Sequence, residues 1–441
     1  MILQRFSLAF FGLTNLMILI RALSDPSDKS RYGTWAIFLT SITIFEATKS
    51  GLLKNAHIRF VSANLESSEK TAIASSSFLI NLFINVVFVV LILFCSTWIS
   101  ELLHTGPELV SMLKWYIPGL LCMALFSHFE AVQQSHFDFK GNFAGYFVRQ
   151  ASFFLIIVFH YVMKIPFTLT HLAIYQSLSI FIGTFVIFLY SRKYLLYRFD
   201  PKLIWIKKIL GYGGFIFGSG LISNIFASLD QYMSAAVLKA PGTVAYYNAA
   251  FRINGFIDVP SYAATEIIFP KLSLASAKEG PGKVRYLYER MVSVLMSFTL
   301  PTALFVILVP GLVVYLIAGP NYDAAIPILQ LYMVAGLFNP MQNQAANVLN
   351  SMGKSGLCFV MNIITLAAKL GINYVCLRRF GFYGAAYAQV ISAAFTAIVW
   401  YPVMRTQINF HLGSVFRYII DNYKLFYSRG LSLLTRKNAN T

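Results

Sequence analysis

Charge is scarce in this chain, and acid is scarcest. Of 441 residues only 12% are charged, with 17 Asp or Glu against 35 Lys or Arg, while 57% are hydrophobic and 40 are phenylalanine. A water-soluble core cannot hide that much apolar surface, so the ordinary soluble globular classes are excluded. The four cysteines, Cys95, Cys122, Cys358 and Cys376, form no CxxC pair, and the seven histidines form no HExxH. The common zinc and thiol-redox signatures are therefore missing, and the cysteines read as small buried hydrophobes. Gly280-Pro281-Gly282-Lys283 lacks the strand and the full glycine spacing of a phosphate-binding loop. An integral-membrane glycan polymerase or acyltransferase would carry a large outer loop with acidic or histidine residues, and every loop on that side is short. The chain reads as not being an enzyme.

What is present is a succession of apolar stretches, each near the ~20 residues that cross ~30 Å of hydrocarbon. Twelve are expected, at 6–20, 32–53, 74–97, 109–131, 143–163, 168–190, 209–229, 243–268, 291–318, 324–350, 355–377 and 382–404. Backbone amides cannot stand bare in lipid, and no ten-residue alternation of a barrel is seen, so the fold is an all-α polytopic membrane protein. The first stretch could pass for a signal peptide. Arg21 stands where a small-residue cleavage site would be, so the stretch reads as a retained helix.

The net charge of +18 is distributed by side. With the N-terminus placed inside, the outer loops hold only Arg21, Lys29, Arg31, Lys164, Lys239, Arg378 and Arg379. Five cations, Lys49, Lys114, Arg149, Arg252 and Lys369, fall within stretches, and the rest lie on the inner side. The positive-inside rule then makes both termini cytoplasmic. The charge is mostly a topology signal, and nucleic acid is not an expected partner.

The basic segment 192–208 divides the chain into a six-helix lobe at 1–191 and another at 209–404, followed by a basic amphipathic tail at 405–441. Tyr32 and Tyr246, and likewise Lys140 and Lys354, stand 214 residues apart (246 − 32; 354 − 140). Phe139-Lys140-Gly141-Asn142 and Gly353-Lys354-Ser355-Gly356 occupy the same place in each half. Such duplication is the usual construction of transporters, which handle substrate between the repeats. In the tail, Phe410, Val415, Phe416, Ile419 and Ile420 alternate with Arg417 and Lys424, the pattern of a helix lying on an anionic leaflet.

A run from Ser228-Leu229-Asp230-Gln231 through Gly242, Tyr246-Tyr247 and Ala250-Phe251-Arg252 resembles the seventh-to-eighth-span signature of the bacterial polysaccharide repeat-unit flippases. These are the O-antigen and capsule translocases of the multidrug/oligosaccharidyl-lipid/polysaccharide exporter superfamily. Phe269-Pro270-Lys271, Gly319-Pro320-Asn321-Tyr322, Gly353-Lys354, Phe380-Gly381 and Ile20-Arg21-Ala22-Leu23 followed by Tyr32-Gly33-Thr34 are similar to further parts of that pattern, in order along the whole chain. Asp25-Pro26-Ser27-Asp28 and Lys239-Ala240 depart from it at the outer face. The resemblance implies two six-helix lobes around a central cavity in the bacterial cytoplasmic membrane. It implies alternating-access transfer of an undecaprenyl-pyrophosphate-linked oligosaccharide from the inner to the outer leaflet. Membrane lipids and a polysaccharide polymerase are its implied partners, and no cofactor is needed beyond proton or sodium coupling. The alternatives are a cation-coupled multidrug extruder of the same superfamily, a lipid II flippase, whose group has two further spans, and a scaffold that transports nothing.

The charges inside stretches require an explanation. A cation facing lipid at mid-depth costs ~2.5–3.5 kcal/mol. Lys114 and Arg149 sit near helix ends and are expected to snorkel. Lys49 is expected to pair with Glu46 one turn earlier. Arg252 and Lys369 are too deep for snorkelling. Lys369 shares a stripe with Asn362, Thr365 and Asn373, and two more amide stripes run through Asn224, Ser228 and Gln231 and through Asn339, Asn343, Asn347 and Asn350. The candidate cavity residues are Arg252, Lys49, Arg21, Lys369, Asn224 and Asn248, offering positive potential to pyrophosphate and amides to sugar hydroxyls. Arg21 serves equally as an interfacial anchor. Glu46, Asp258 and Asp230 are coupling or ion-pair candidates, with an ion-pair network that merely holds the protein together as the plain alternative. Gly214 and Gly218 have close-packing spacing. Pro118, Pro260 and Pro310 are placed within helices, and Pro260 is the hinge candidate.

Overall fold

The structure is a computed structural model that describes residues 2–23, 29–61, 66–136, 138–195, 199–258, 261, 268, 271–272, 274–276 and 278–437. It leaves out, among others, the side chains of 47–56 and 429–437. The first half forms α1 (Ile2–Leu23), α2 (Ser30–Val61), α3 (Ser67–Leu102), α4 (Pro107–Trp115), α5 (Ile117–Ser135), α6 (Lys140–Val162) and α7 (Leu169–Ser191). A 3-10 turn, Arg192–Tyr194, leads to α8 (Leu203–Leu238) and α9 (Gly242–Ile257). Then come α10 (Pro281–Leu308), α11 (Pro310–Ala318), α12 (Ala325–Gly336), α13 (Asn339–Ser351), α14 (Ser355–Phe380), α15 (Gly384–Ile408) and α16 (Leu412–Lys437).

Helix stands at each of the twelve expected stretches. Among the described residues five helical segments are long and apolar enough to cross a bilayer: Ser68–Leu102, Lys140–Val162, Leu169–Tyr194, Pro281–Leu308 and Ser355–Ile408, the last holding both α14 and α15. Joining α4 to α5, bent by 42°, adds a sixth. The prolines account for the breaks. Pro118 falls in the first turn of α5 and Pro310 opens α11, so each starts a new helix, where a missing N–H costs nothing, instead of lying inside one. Among the described residues Pro301 and Pro402 lie inside helices. Pro260 and Thr265 lie outside the described residues.

The repeat is visible in the helix starts: α6 and α14 begin 215 residues apart (355 − 140), as do α7 and α15 (384 − 169). The chain packs as two units, Met1–Asn248 with Tyr315–Tyr322, and Ala249–Val314 with Asp323–Thr441. This division falls at Asn248 and not within 192–208, because α8 packs along α2 and α3. The segment before α8 is strapped to α3: Ser75 Oγ accepts from the Asp200 amide at 3.1 Å and Ser76 Oγ from the Lys202 amide at 3.0 Å.

In the first unit α7 packs against α5 and α6, and Trp35 and Phe38 of α2 meet Phe153 of α6 and Tyr116 at the head of α5, with ring centroids 5.2–6.4 Å apart. In the second unit a core of Tyr288, Met291, Leu295, Val348, Trp400 and Met404 joins α10, α13 and α15. The tail helix α16 belongs to that core through Val415 and Ile419. Its Asn422 lies 3.2 Å from Ser297 Oγ, and Tyr423 donates to the Ser297 carbonyl at 3.0 Å. Phe416, Ile420 and Tyr427 stay exposed. The tail is thus a packed helix with an apolar stripe outward.

Candidate functional site

Two clusters of polar groups in the first unit bear on the candidate residues. In one, Glu46 on α2 accepts from Tyr116 Oη at 2.9 Å and from Arg149 Nη2 on α6 at 3.4 Å. Arg149 also lies over the Phe126 ring at 5.9 Å and donates to Met123 Sδ. One layer on, Glu130 Oε2 accepts from Tyr146 Oη at 3.1 Å and Glu130 Oε1 from Gln134 Nε2 at 3.2 Å. Arg149 reaches this place because α6 and α7 nearly touch. A Cβ on Gly183 would stand 2.7 Å from the Arg149 Cβ, and one on Gly145 would stand 2.9 Å from the Ile187 Cβ. Only glycine allows that approach. Arg149 is 7% exposed. It does not snorkel, since it turns inward to the half-buried carboxylate of Glu46. Glu46 takes Arg149 as its partner; the Lys49 side chain, expected in that role, lies outside the described residues.

The second cluster joins α2, α8 and α9. Asn248 Oδ1 accepts from Tyr32 Oη at 3.1 Å, and Asn248 Nδ2 donates to Gln231 Oε1 at 2.9 Å. Thr40 Oγ1 stands 3.1 Å from the same Gln231 oxygen, and Ser41 Oγ lies 2.8 Å from Tyr232 Oη. A Cβ on Gly33 would be 1.9 Å from the Pro241 carbonyl oxygen, so glycine is what lets the start of α2 meet the turn before α9. Asp230 is buried beside Gln231 on α8. Asn224 donates to the Gly220 carbonyl of its own helix at 2.8 Å.

Arg21, at the end of α1, donates to the Leu316 carbonyl at 2.7 Å and lies 3.4 Å from that of Tyr315. Those carbonyls end α11, where a cation completes unsatisfied acceptors and faces the negative end of the helix dipole. Lys114 is exposed on α4, as expected of a snorkelling end. A Cβ on Gly214 meets nothing within 4 Å, so the expected close packing at that glycine is absent. Gly214 instead lines an apolar groove with Phe83 and Leu210.

In the second unit Arg252 is half-buried on α9 and makes no hydrogen bond or ion pair with the described residues. Asp258 accepts from Asn339 Nδ2 at 3.1 Å. Lys369 on α14 is 1% exposed and donates to Gln389 Oε1 on α15 at 2.7 Å. Thr365 and Asn373 share its buried face, whereas Asn362 is only half-buried. On α13 the buried residues are Pro340, Gln344, Ala345, Val348 and Leu349, while Asn343 and Asn350 are exposed. Arg149, Tyr116, Glu130 and Gln389 were not singled out as site residues by the sequence. The available signal was Arg149 with Gly145 four residues before it, a cation and a glycine on one helical face.

A protein named as an O-antigen transporter in Shigella flexneri is 23% identical over 195 residues, 44% of this chain and 46% of that relative. The chain thus spans less than half the length of that relative in the match. The lipopolysaccharide biosynthesis protein WzxC of Escherichia coli strain K12 is 21% identical over 420 residues, covering 94% of this chain and 81% of WzxC. An inward-facing multidrug resistance transporter of the MATE family, MOP superfamily, superposes with a TM-score of 0.78 at 15% identity, over 90% of this chain and 94% of its own. The chain therefore shares its fold with that transporter. The profile of the family described as "Polysaccharide biosynthesis protein" matches residues 18–327, more than two thirds of the sequence, and the chain belongs to that family.

Proposed function

We propose that this protein is a flippase, which carries an undecaprenyl-pyrophosphate-linked oligosaccharide from the inner to the outer leaflet of a bacterial cytoplasmic membrane by alternating access, with both termini cytoplasmic. The observation that carries this reading is Arg252, a cation deep in an expected span with no carboxylate beside it among the described residues. A guanidinium at such depth is tolerable when it faces water or an anion, and its planar fork suits phosphate oxygens. Membership of a polysaccharide biosynthesis family and the fold of a transporter agree with it, and both belong to carriers, not to enzymes. In this reading Lys49, Arg21 and Lys369 add positive potential, while Asn224 and Asn248 hydrogen-bond sugar hydroxyls. Glu46, Asp258 and Asp230 carry the coupling proton or hold cations between cycles, and Pro260 is the hinge. A polysaccharide polymerase is the proposed partner that takes the product.

Depletion in the native host tests this. Lipid-linked repeat units should accumulate facing the cytoplasm as surface glycan falls. Unchanged lipid-linked sugars with raised sensitivity to lipophilic cations would replace the flippase by the drug-extruder reading.

A further inference from the structure

The first unit holds a cavity of about 410 Å³ that none of the candidate residues line. It lies among the last turn of α2, the start of α3, the end of α5 and the segment after α7, at the end of the unit that bears the basic loops. Small-molecule sites span ~300–1,000 Å³, so it is large enough for one compact group. His57, Lys70, Phe78, His128, His136 and Tyr194 line it, and no lining residue is acidic.

The hydrogen bonds fix what the imidazoles present. Ser77 Oγ gives its proton to the Ala74 carbonyl at 3.0 Å, so the 2.7 Å contact from His57 Nδ1 is donated by the ring. The Val132 carbonyl can only accept, so His136 Nδ1 is a donor as well, at 2.9 Å. Each ring is left with Nε2, an acceptor when the imidazole is neutral. Flat faces complete the lining: His136 stacks on Tyr194 at 4.4 Å and 18°, and His128 meets Phe78 at 4.9 Å. The nearby acid does not compensate Lys70. Asp138 accepts from Lys193 Nζ at 2.9 Å and from Tyr194 Oη at 3.0 Å, and Lys70 has no ion-pair partner among the described residues.

Acceptors for hydroxyls, ring faces for the apolar side of a pyranose and one uncompensated ammonium for an anion are together the requirements of a sugar phosphate. A lipophilic cation would be repelled by Lys70, and a bare anion would leave the imidazole acceptors and ring faces unused. We propose that this cavity receives the phosphate-bearing sugar of the lipid-linked substrate on the side from which it is loaded. This rests on the flippase function proposed above.

The test uses the full chain in lipid nanodiscs and measures binding by isothermal titration and saturation-transfer NMR. The probes are the 1-phosphates of glucose, galactose and N-acetylglucosamine, with the free sugars, inorganic phosphate and farnesyl-diphospho-N-acetylglucosamine beside them. At least one sugar phosphate should bind with tenfold or greater preference over inorganic phosphate and over its free sugar, and the farnesyl compound should displace it. Lys70→Ala, at a half-exposed position that tolerates change, should weaken binding at least tenfold, and His128→Ala should weaken it with an unchanged melting temperature. Equal binding of inorganic phosphate, no effect of either variant, or no displacement by the lipid-linked compound would overturn the proposal. Failure here with accumulated lipid-linked units on depletion leaves the flippase reading standing. Binding here without that accumulation removes the flippase reading and keeps the cavity as a sugar-phosphate site.

Discussion

A single side chain decides most where it has no partner among the described residues, and Arg252 is that case. Arg252→Ala should abolish glycan export at normal protein level, whereas Arg252→Lys should keep part of it, since charge survives but the bidentate fork is lost. Surface glycan and immunoblots of membranes measure both, and an active Ala variant removes the residue from the site. Arg149 behaves oppositely. Arg149→Leu leaves Glu46 in a buried layer without its cation, and breaking such a pair costs ~3–5 kcal/mol. The melting temperature in detergent should fall by several degrees, and Glu46→Gln on top should recover much of it. No recovery would mean that Arg149 acts through packing on Phe126 alone.

Between elements, α6 and α7 approach closely at their glycines. Gly183→Ala pushes a methyl onto the Arg149 Cβ and should destabilise the protein, while Gly214→Ala meets open space and should be neutral or slightly stabilising, alanine being favoured over glycine by ~1 kcal/mol within helices. Thermal melts of the two variants check this directly. At the α5–α6 turn the Lys193 ammonium, the Lys140 amide and the Tyr194 hydroxyl hold the Asp138 carboxyl down at about 2, below its usual range. A depressed carboxylate stabilises above its unfolded value and loses that contribution as pH falls toward the folded one. The difference in melting temperature between wild type and Asp138→Asn should therefore be constant from pH 5 to 8 and shrink below about pH 4.

At the scale of the whole molecule, the tail tests whether the second unit is complete without it. Ending the chain at residue 410 exposes the α10 face that Val415, Ile419 and Asn422 cover. Truncated protein should melt lower and accumulate less in the membrane, and unchanged stability would return the tail to a surface attachment. Much of the fold was legible in the chain, because lipid forces every buried amide into a helix and makes span length a counting problem. The candidate site was legible only in part. Arg252 and Lys369 stood out by depth alone, and Asn248 and Gln231 by helical spacing. Arg149 did not, since six residues from a helix end look the same in sequence whether the side chain turns outward to the surface or inward to a carboxylate.

Hydropathy and the one-sided loop charges determined by themselves that this is a helical membrane protein with too few acids to balance its deep cations. Those properties depend on composition and local period, which each segment carries alone. Tertiary structure decided who pairs with whom: Glu46 with Arg149 across α2 and α6, Asn248 with Tyr32 and Gln231 across three helices, Lys369 with Gln389 across α14 and α15. It also decided that Gly145 and Gly183 are tightly packed and Gly214 is open. Each of these is a contact between segments distant in sequence, set by which helix faces meet, and no local pattern encodes it.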